Sequence, residues 1–223
     1  YLRKKKSKTI AVVNFGSLHQ LTTQRLYAVV KAIHEREYRP LIYDVSWIGD
    51  NVKPGELIDA HVEGVVLVNP TALYPADKVS ELVGAGVPVV SIGGFSLPGI
   101  PKYLADKEHG FYTITKHLLS LGYTKIAYLG TTIPNKCNRK YAWHTVGALN
   151  GFKKATEEFQ QKHPVEAIVE LVTSLDHSTD KGNYNHGYTA MGQLLDKAHP
   201  RAVVCSNDSW ALGGMRACVE RGL

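Results

Sequence analysis

Apolar strand-length runs alternate with helix-period segments along this chain, and no other feature limits its possible folds as much. The runs Thr9 to Phe15, Pro40 to Val45, Glu63 to Val68 and Val87 to Ile92 are rich in Val, Ile and Leu and are too short for helices. Between them Leu26, Val29, Val30 and Ile33 mark one face of a helix, and shorter helices are predicted over Pro54 to Val62 and Ala76 to Ala85. Strands that are apolar on both sides need cover on both faces. With helices as the connections, this predicts an α/β fold built on parallel sheets.

The pattern breaks once. Gly93 to Pro101 is rich in Gly and Pro and has no period, so it reads as a loop, followed by a brief extended segment at Tyr103 that ends in a helix cap at Asp106. The alternation then restarts. A helix carrying Phe111, Ile114 and Leu118 precedes a Lys125 to Leu129 strand; a helix over Val146 to Phe159 precedes a Val165 to Val172 strand; a helix over His186 to Leu195 precedes the last strand, Ala202 to Cys205. Two Rossmann-like lobes are expected, residues 9–102 and 103–223, with residues 1–8 as a basic linker and the crevice between the lobes as the binding site.

The end of the last strand carries the clearest functional signal. Ser206-Asn207-Asp208 follows the apolar run at once, and a helix-period pattern continues through Leu212, Met215 and Val219. Polar side chains at the carboxyl end of a strand in an open α/β sheet face the crevice where ligands bind. Asn and Asp also cap helices. The two readings differ in what Asn207→Ala would lose, affinity or stability.

Charge and composition narrow the classes. The net charge is +6, but Arg3, Lys4, Lys5, Lys6 and Lys8 supply five of those charges, so the body is close to neutral. Such a tail suits either a position near phosphates or a solvated linker. At 44% hydrophobic and 21% charged residues the chain has an ordinary globular composition, and its apolar runs fall far short of a membrane span. Cys137, Cys205 and Cys218 have neither metal nor disulfide spacing, and the ten histidines form no ligand motif. No metal or cofactor is expected. There is no Gly-x-Gly-x-x-Gly after the first strand and no Walker-type Gly-Lys-Ser/Thr. The nearest approach to a nucleophile elbow, Gly94 to Gly99, has the wrong spacing and a Pro-broken loop. An enzyme is therefore not expected.

Several ordered features together resemble the effector-binding core of the lactose/galactose repressor family. They are Lys6-Ser-Lys-Thr-Ile-Ala-Val-Val13, Val62 to Leu67, Gly86-Val-Pro-Val-Val90, Asp106-Lys-Glu-His-Gly110 with His117 to Ala127, the pairs Gly151-Phe152 and Gly187-Tyr188, and the Asn207-Asp208 tail closed by Arg221-Gly-Leu223. The resemblance runs the length of the chain. It implies a periplasmic-binding-protein-like fold of type I, lacking the helix-turn-helix headpiece before Tyr1 and incomplete after Leu223. It also implies a cytoplasmic transcription regulator that takes a small effector, a sugar or related metabolite, and meets operator DNA through the headpiece as a homodimer. The helix over residues 20–37 would supply part of the dimer interface. The alternative is a periplasmic sugar-binding protein of a transport system, which has the same two-lobed fold.

Effector contacts are expected from Asn14, Phe15 and Ser17 after the first strand and from Asn207 and Asp208 on the second lobe. Amides donate and accept, while carboxylates accept at two oxygens, which suits sugar hydroxyls. Phe95, Trp143 and Tyr184 offer flat apolar surface, as does Trp47; Trp210 is a weaker candidate because its helix is expected to bury it. The pocket arginine that the family places three residues before Gly151-Phe152 corresponds to Ala148, and its acid after the fourth strand to Gly93 or Gly94. Arg139, in the long segment 131–145, is the candidate to replace the missing charge.

Overall fold

The computed structural model describes residues 7–15, 20–45, 52–70, 76–94, 97–131, 143–172 and 180–223. The chain divides into two units, Tyr1–Ala105 and Asp106–Leu223. The first contains β1 (Thr9–Asn14), α1 (Gln20–Glu35), β2 (Arg39–Asp44), α2 (Pro54–Asp59), β3 (Gly64–Val68), α3 (Ala76–Gly84), β4 (Val89–Ile92) and β5 (Lys102–Tyr103). The second contains α4 (Lys107–Ser120), β6 (Lys125–Thr131), α5 (Trp143–Gln160), β7 (Glu166–Val172), α6 (Asp180–Lys197), β8 (Ala202–Cys205) and α7 (Asp208–Val219).

Every strand pairing is parallel, as the apolar runs predict. The first unit holds a five-stranded sheet in the order β2-β1-β3-β4-β5, and the second a three-stranded sheet in the order β7-β6-β8. In the first sheet Asn14 pairs with Asp44 on one side and Val68 on the other, while Val68 pairs with Ile92 and Ile92 with Tyr103. That register brings the carboxyl ends of all five strands to one rim. The strand order reverses at β1/β3 in the first sheet and at β6/β8 in the second, so each sheet has a switch point where α/β folds bind ligands.

Alternate side chains of each strand enter cores on opposite faces. In the first unit Val12 and Val68 pack with Val29 and Ile33 of α1. Ala11, Val13, Val65 and Leu67 pack with Leu57 of α2 and with Val79 and Leu82 of α3. In the second unit Ile126 and Tyr128 meet Leu119, Ala148 and Phe152 of α4 and α5. Ala127 and Leu129 meet Ala190, Met191 and Leu194 of α6 and Trp210 and Ala217 of α7.

The second unit's helices pack in pairs through glycine. A Cβ on Gly151 of α5 would land on the carbonyl oxygen of Glu108, and one on Gly187 of α6 on that of Trp210. A Cβ on Gly213 of α7 would likewise land on the carbonyl oxygen of Tyr184. The obstacles are backbone atoms, so nothing larger than glycine lets these helices approach so closely. This gives Gly151-Phe152 and Gly187-Tyr188 a packing reason.

The structure corrects several sequence expectations. The apolar series Leu212, Met215 and Val219 does not face the core; these residues are 57%, 62% and 71% exposed. The inward face of α7 is Trp210, Gly213, Gly214 and Ala217: past the buried Trp210, the glycine-mediated crossing on α6 selects small residues rather than large ones. Ile114 is 45% exposed, and Thr115 and Leu119 take its expected place inside α4. The helix predicted over Pro54 to Val62 ends at Asp59, where His61 turns to φ 53°. The helix expected from His186 begins at Asp180, which puts Tyr184 on α6.

Candidate functional site

At the switch point of the first sheet the rim is polar. Asn14, the last residue of β1, is fully buried, and its Nδ2 donates to Asp44 Oδ2 at 3.2 Å. Phe15 continues the sheet with a backbone N–H bond to the Val68 carbonyl at 2.9 Å, and its partly buried ring packs against the core containing Ala11 and Leu67. Across the switch point Asn69 follows β3 at φ 52°, its backbone N–H bonded to the Ile92 carbonyl at 2.9 Å. Its side chain bridges to α1: Oδ1 accepts from Arg25 Nη1 at 2.6 Å, and Nδ2 donates to Thr22 Oγ1 at 3.0 Å. Thr22 is buried.

Gly93 and Gly94, after β4, let the chain pack closely against this corner. Both lie in the left-handed region, at φ 67° and 61°. A Cβ on Gly93 would sit on Asn69 Oδ1 and 2.6 Å from Arg25 Nη1, and one on Gly94 would sit on the Asn69-Pro70 backbone. Burial pulls the Arg25 pKa below its ordinary value, since desolvation penalises the charged form. Arginine nevertheless stays protonated at any ordinary pH.

The rim of the second unit is built differently. Ser206 extends the sheet by donating its N–H to the Leu129 carbonyl at 2.9 Å. Asn207 is the N-cap of α7: with extended backbone (φ −159°, ψ 173°), its Oδ1 accepts from the Trp210 N–H at 3.0 Å. The capping reading of Asn207 is therefore realised. Asn207 and Asp208 are both exposed, and the Asp208 carboxylate sits in the first turn of α7, where the helix dipole favours negative charge.

Other candidates go elsewhere. Tyr184 lies on α6 with its side chain directed toward Arg216 of α7. Trp210 is fully buried, its Nε1 donating to Asn183 Oδ1 at 3.1 Å, as its core reading requires. Ala148 lies in the core with Phe152. Ser17, Trp47, Phe95 and Arg139 lie outside the described residues, as does the side chain of Trp143. Among the described residues no group of three His, Cys, Asp or Glu side chains is placed to hold a metal ion. No helix among them is long and apolar enough to cross a membrane.

Three residues of the first rim escaped the sequence reading. Asn69 carries the same mark as Asn207, a polar residue directly after an apolar strand. Thr22 and Arg25 interrupt the inward stripe of α1 that continues through Val29 and Ile33, and polar residues on a core stripe ask for a partner.

Comparison with known proteins agrees with this architecture. Residues 115–223 match the family of periplasmic binding protein-like domains. The HTH-type transcriptional regulator DegA of Bacillus subtilis (strain 168) is 28% identical over 170 residues, which cover 73% of this chain and 44% of that protein. The HTH-type transcriptional repressor PurR of Escherichia coli O6:K15:H31 (strain 536 / UPEC) is 33% identical over 117 residues, 51% of this chain and 29% of that protein. The chain thus spans less than half the length of the curated relatives it matches. Among solved structures, a regulatory protein of the LacI family from Chloroflexus aggregans superposes with a TM-score of 0.73 at 23% identity, covering 97% of this chain and 74% of that one. A LacI family transcriptional regulator from Enterococcus faecium with bound ribose superposes at 0.70 with 20% identity, covering 96% and 72%.

The second unit is similar to periplasmic binding protein-like domains over residues 115–223. The chain is homologous to the regulators DegA and PurR and has the fold of LacI-family regulators over most of its length.

Proposed function

We propose that this chain is the effector-sensing core of a transcription regulator. The observation that carries the proposal is the placement of hydrogen-bonding side chains at both sheet switch points, in a chain homologous to transcriptional regulators. The rims hold amides, a guanidinium and carboxylates suited to a polyhydroxylated molecule. The effector belongs to the sugars and related metabolites. Structural neighbours of this fold were solved with ribose, fructose 1-phosphate and cellobiose. Asn14 positions the first rim from beneath, Phe15 lies at its edge, Ser17 is a further candidate from the same segment of sequence, and Asn207 and Asp208 serve the second. Phe95, Arg139, Trp143 and Tyr184 are secondary candidates. DNA recognition is assigned to a headpiece outside these residues, and the protein acts in the cytoplasm as a homodimer. The exposed Leu21 and Tyr27 of α1 and Ile42 of β2 are apolar surface available to that interface.

The transport-protein reading is less well supported, because the curated relatives are regulators. A thermal-shift screen of neutral sugars, sugar phosphates and sugar acids on the intact chain tests the sensing role. A ligand at a hundred times its Kd adds about 2.7 kcal/mol, enough to raise Tm by about 5 °C or more at this size. No shift with any class would reject the proposal. Sedimentation of the full-length protein as a monomer at micromolar concentration would reject the dimer.

A further inference from the structure

The polar corner of the first unit contains the Arg25 guanidinium, held by a neutral group. Among the described residues no carboxylate pairs with Arg25, and its one hydrogen-bond partner is the neutral Asn69 oxygen. A guanidinium has five N–H donors, and a charge removed from water is costly unless paired. Both α1 and the Asn69-Thr22 bond hold this group in place at the carboxyl ends of β3 and β4. Gly93, which has no side chain, lets the end of β4 pack directly against the guanidinium. The helix therefore presents a positioned, half-buried positive charge beside the point where the strand order reverses.

Resting on the sensing role proposed above, we infer that Arg25 and Asn69 form an oxyanion-recognition point, so the effector carries a phosphate or carboxylate group. The rest of the rim indicates what that group is attached to. Asn14 and Asp44 lie one and two strands further along the sheet, about 5 and 10 Å from the β3 end at ordinary strand spacing. The part-exposed Asp44 carboxylate, held by the buried Asn14 amide, suits hydroxyls and disfavours a second negative charge. The effector class is a polyhydroxylated molecule with one anionic end, such as a sugar phosphate or a sugar acid. Arginine suits either group because its planar fork can present two parallel N–H donors to two oxygens.

The test is calorimetric titration of the intact chain with matched pairs: glucose 6-phosphate and gluconate against glucose, and ribose 5-phosphate against ribose. At least one charged member is expected to bind more tightly than its neutral parent, with a Kd that rises with salt. Arg25→Gln keeps an amide able to face Asn69 but removes the charge. It should weaken the charged ligand by about tenfold to a hundredfold, and Arg25→Lys should recover part of the loss. A merely structural bridge would instead change the melting temperature and leave the preference between charged and neutral ligands intact. Equal affinity for charged and neutral members, or an unchanged Kd in Arg25→Gln, overturns the inference while leaving the sensing role standing. If no sugar of either kind binds, the sensing role fails and the inference fails with it. Should Arg25→Gln not fold, the charged-against-neutral preference of the unaltered chain decides alone, and its absence overturns the inference.

Discussion

The two units solve the same problem, covering both faces of a parallel sheet, with different means. The first has five strands, and its helices lie chiefly on the sheet. The second has three strands, and its helices also press on one another, with glycines at the crossings of α5 on α4 and of α6 with α7. Breadth of sheet and closeness of helices are thus alternative ways to bury apolar surface. The rims differ too. The first is shaped by left-handed turns at Asn69, Gly93 and Gly94 that admit Arg25. The second is shaped by an ordinary helix start at Asn207. Glycine therefore serves close packing in both units, of helix on helix in the second and of the β4 end on the Asn69-Arg25 corner in the first.

Gly213→Ala should have the largest effect. The added methyl meets the backbone of Tyr184 and lies 2.7 Å from the Tyr188 nitrogen, so two helices must part. A loss of about 3 kcal/mol, near the upper end for overpacking, is expected. Amide exchange should locate it in the second unit alone; equal loss of protection in the first would break the comparison. Gly93→Ala should cost less, about 2 kcal/mol. Its nearest obstacles are side-chain atoms of Asn69 and Arg25, which can yield, although the backbone at φ 67° cannot relax freely. That loss should fall on the first unit and bring weaker effector binding.

Asn207→Ala removes a helix cap and should lower stability by about 1 kcal/mol, with urea unfolding as the measurement. If Asn207 also contacts the effector, Kd should rise between about fivefold and a hundredfold. Unchanged affinity would leave it a cap only.

The smallest effect belongs to alkaline solution. Burial pushes the Cys205 thiol up to about 11 and the Tyr128 phenol up to about 12, against ordinary values of 9.0 and 10.0. Above pH 9 the unfolded chain releases protons that the folded chain retains, so stability falls as pH rises toward 11. Below pH 9 this contribution is fully present. Pulsed thiol alkylation at pH 8 should label Cys205 far more slowly in the folded protein than in urea; equal rates would contradict its burial.

The order of strands and helices was legible because continuous Val, Ile and Leu runs have no stable place except a sheet covered on both faces. Which side of a helix faces inward was less legible. Period 3.6 identified Leu212, Met215 and Val219 as a face, but a crossing built on Gly213 and Ala217 turns that face outward. At the site, Asn207 could be read because its strand end is contiguous in sequence. Arg25 and Asn69 are 44 residues apart and meet only after β1, α1 and β3 are in register. A local pattern has no means of signalling such a pair.

Among the described residues, the five non-glycine residues with left-handed backbone are also divided between the two edges. Lys8, Glu37, His61 and His199 are exposed and lie just before β1, β2, β3 and β8, where the chain enters a sheet. Of the five, Asn69 is the one that lies where the chain leaves a sheet. Glycine would relax the backbone at all five. At the four entry positions that relaxation is an uncommitted stability reserve, open to drift or engineering without touching the rim. At Asn69 the same change would sever α1 from β3, so only there is conformational ease opposed by selectivity.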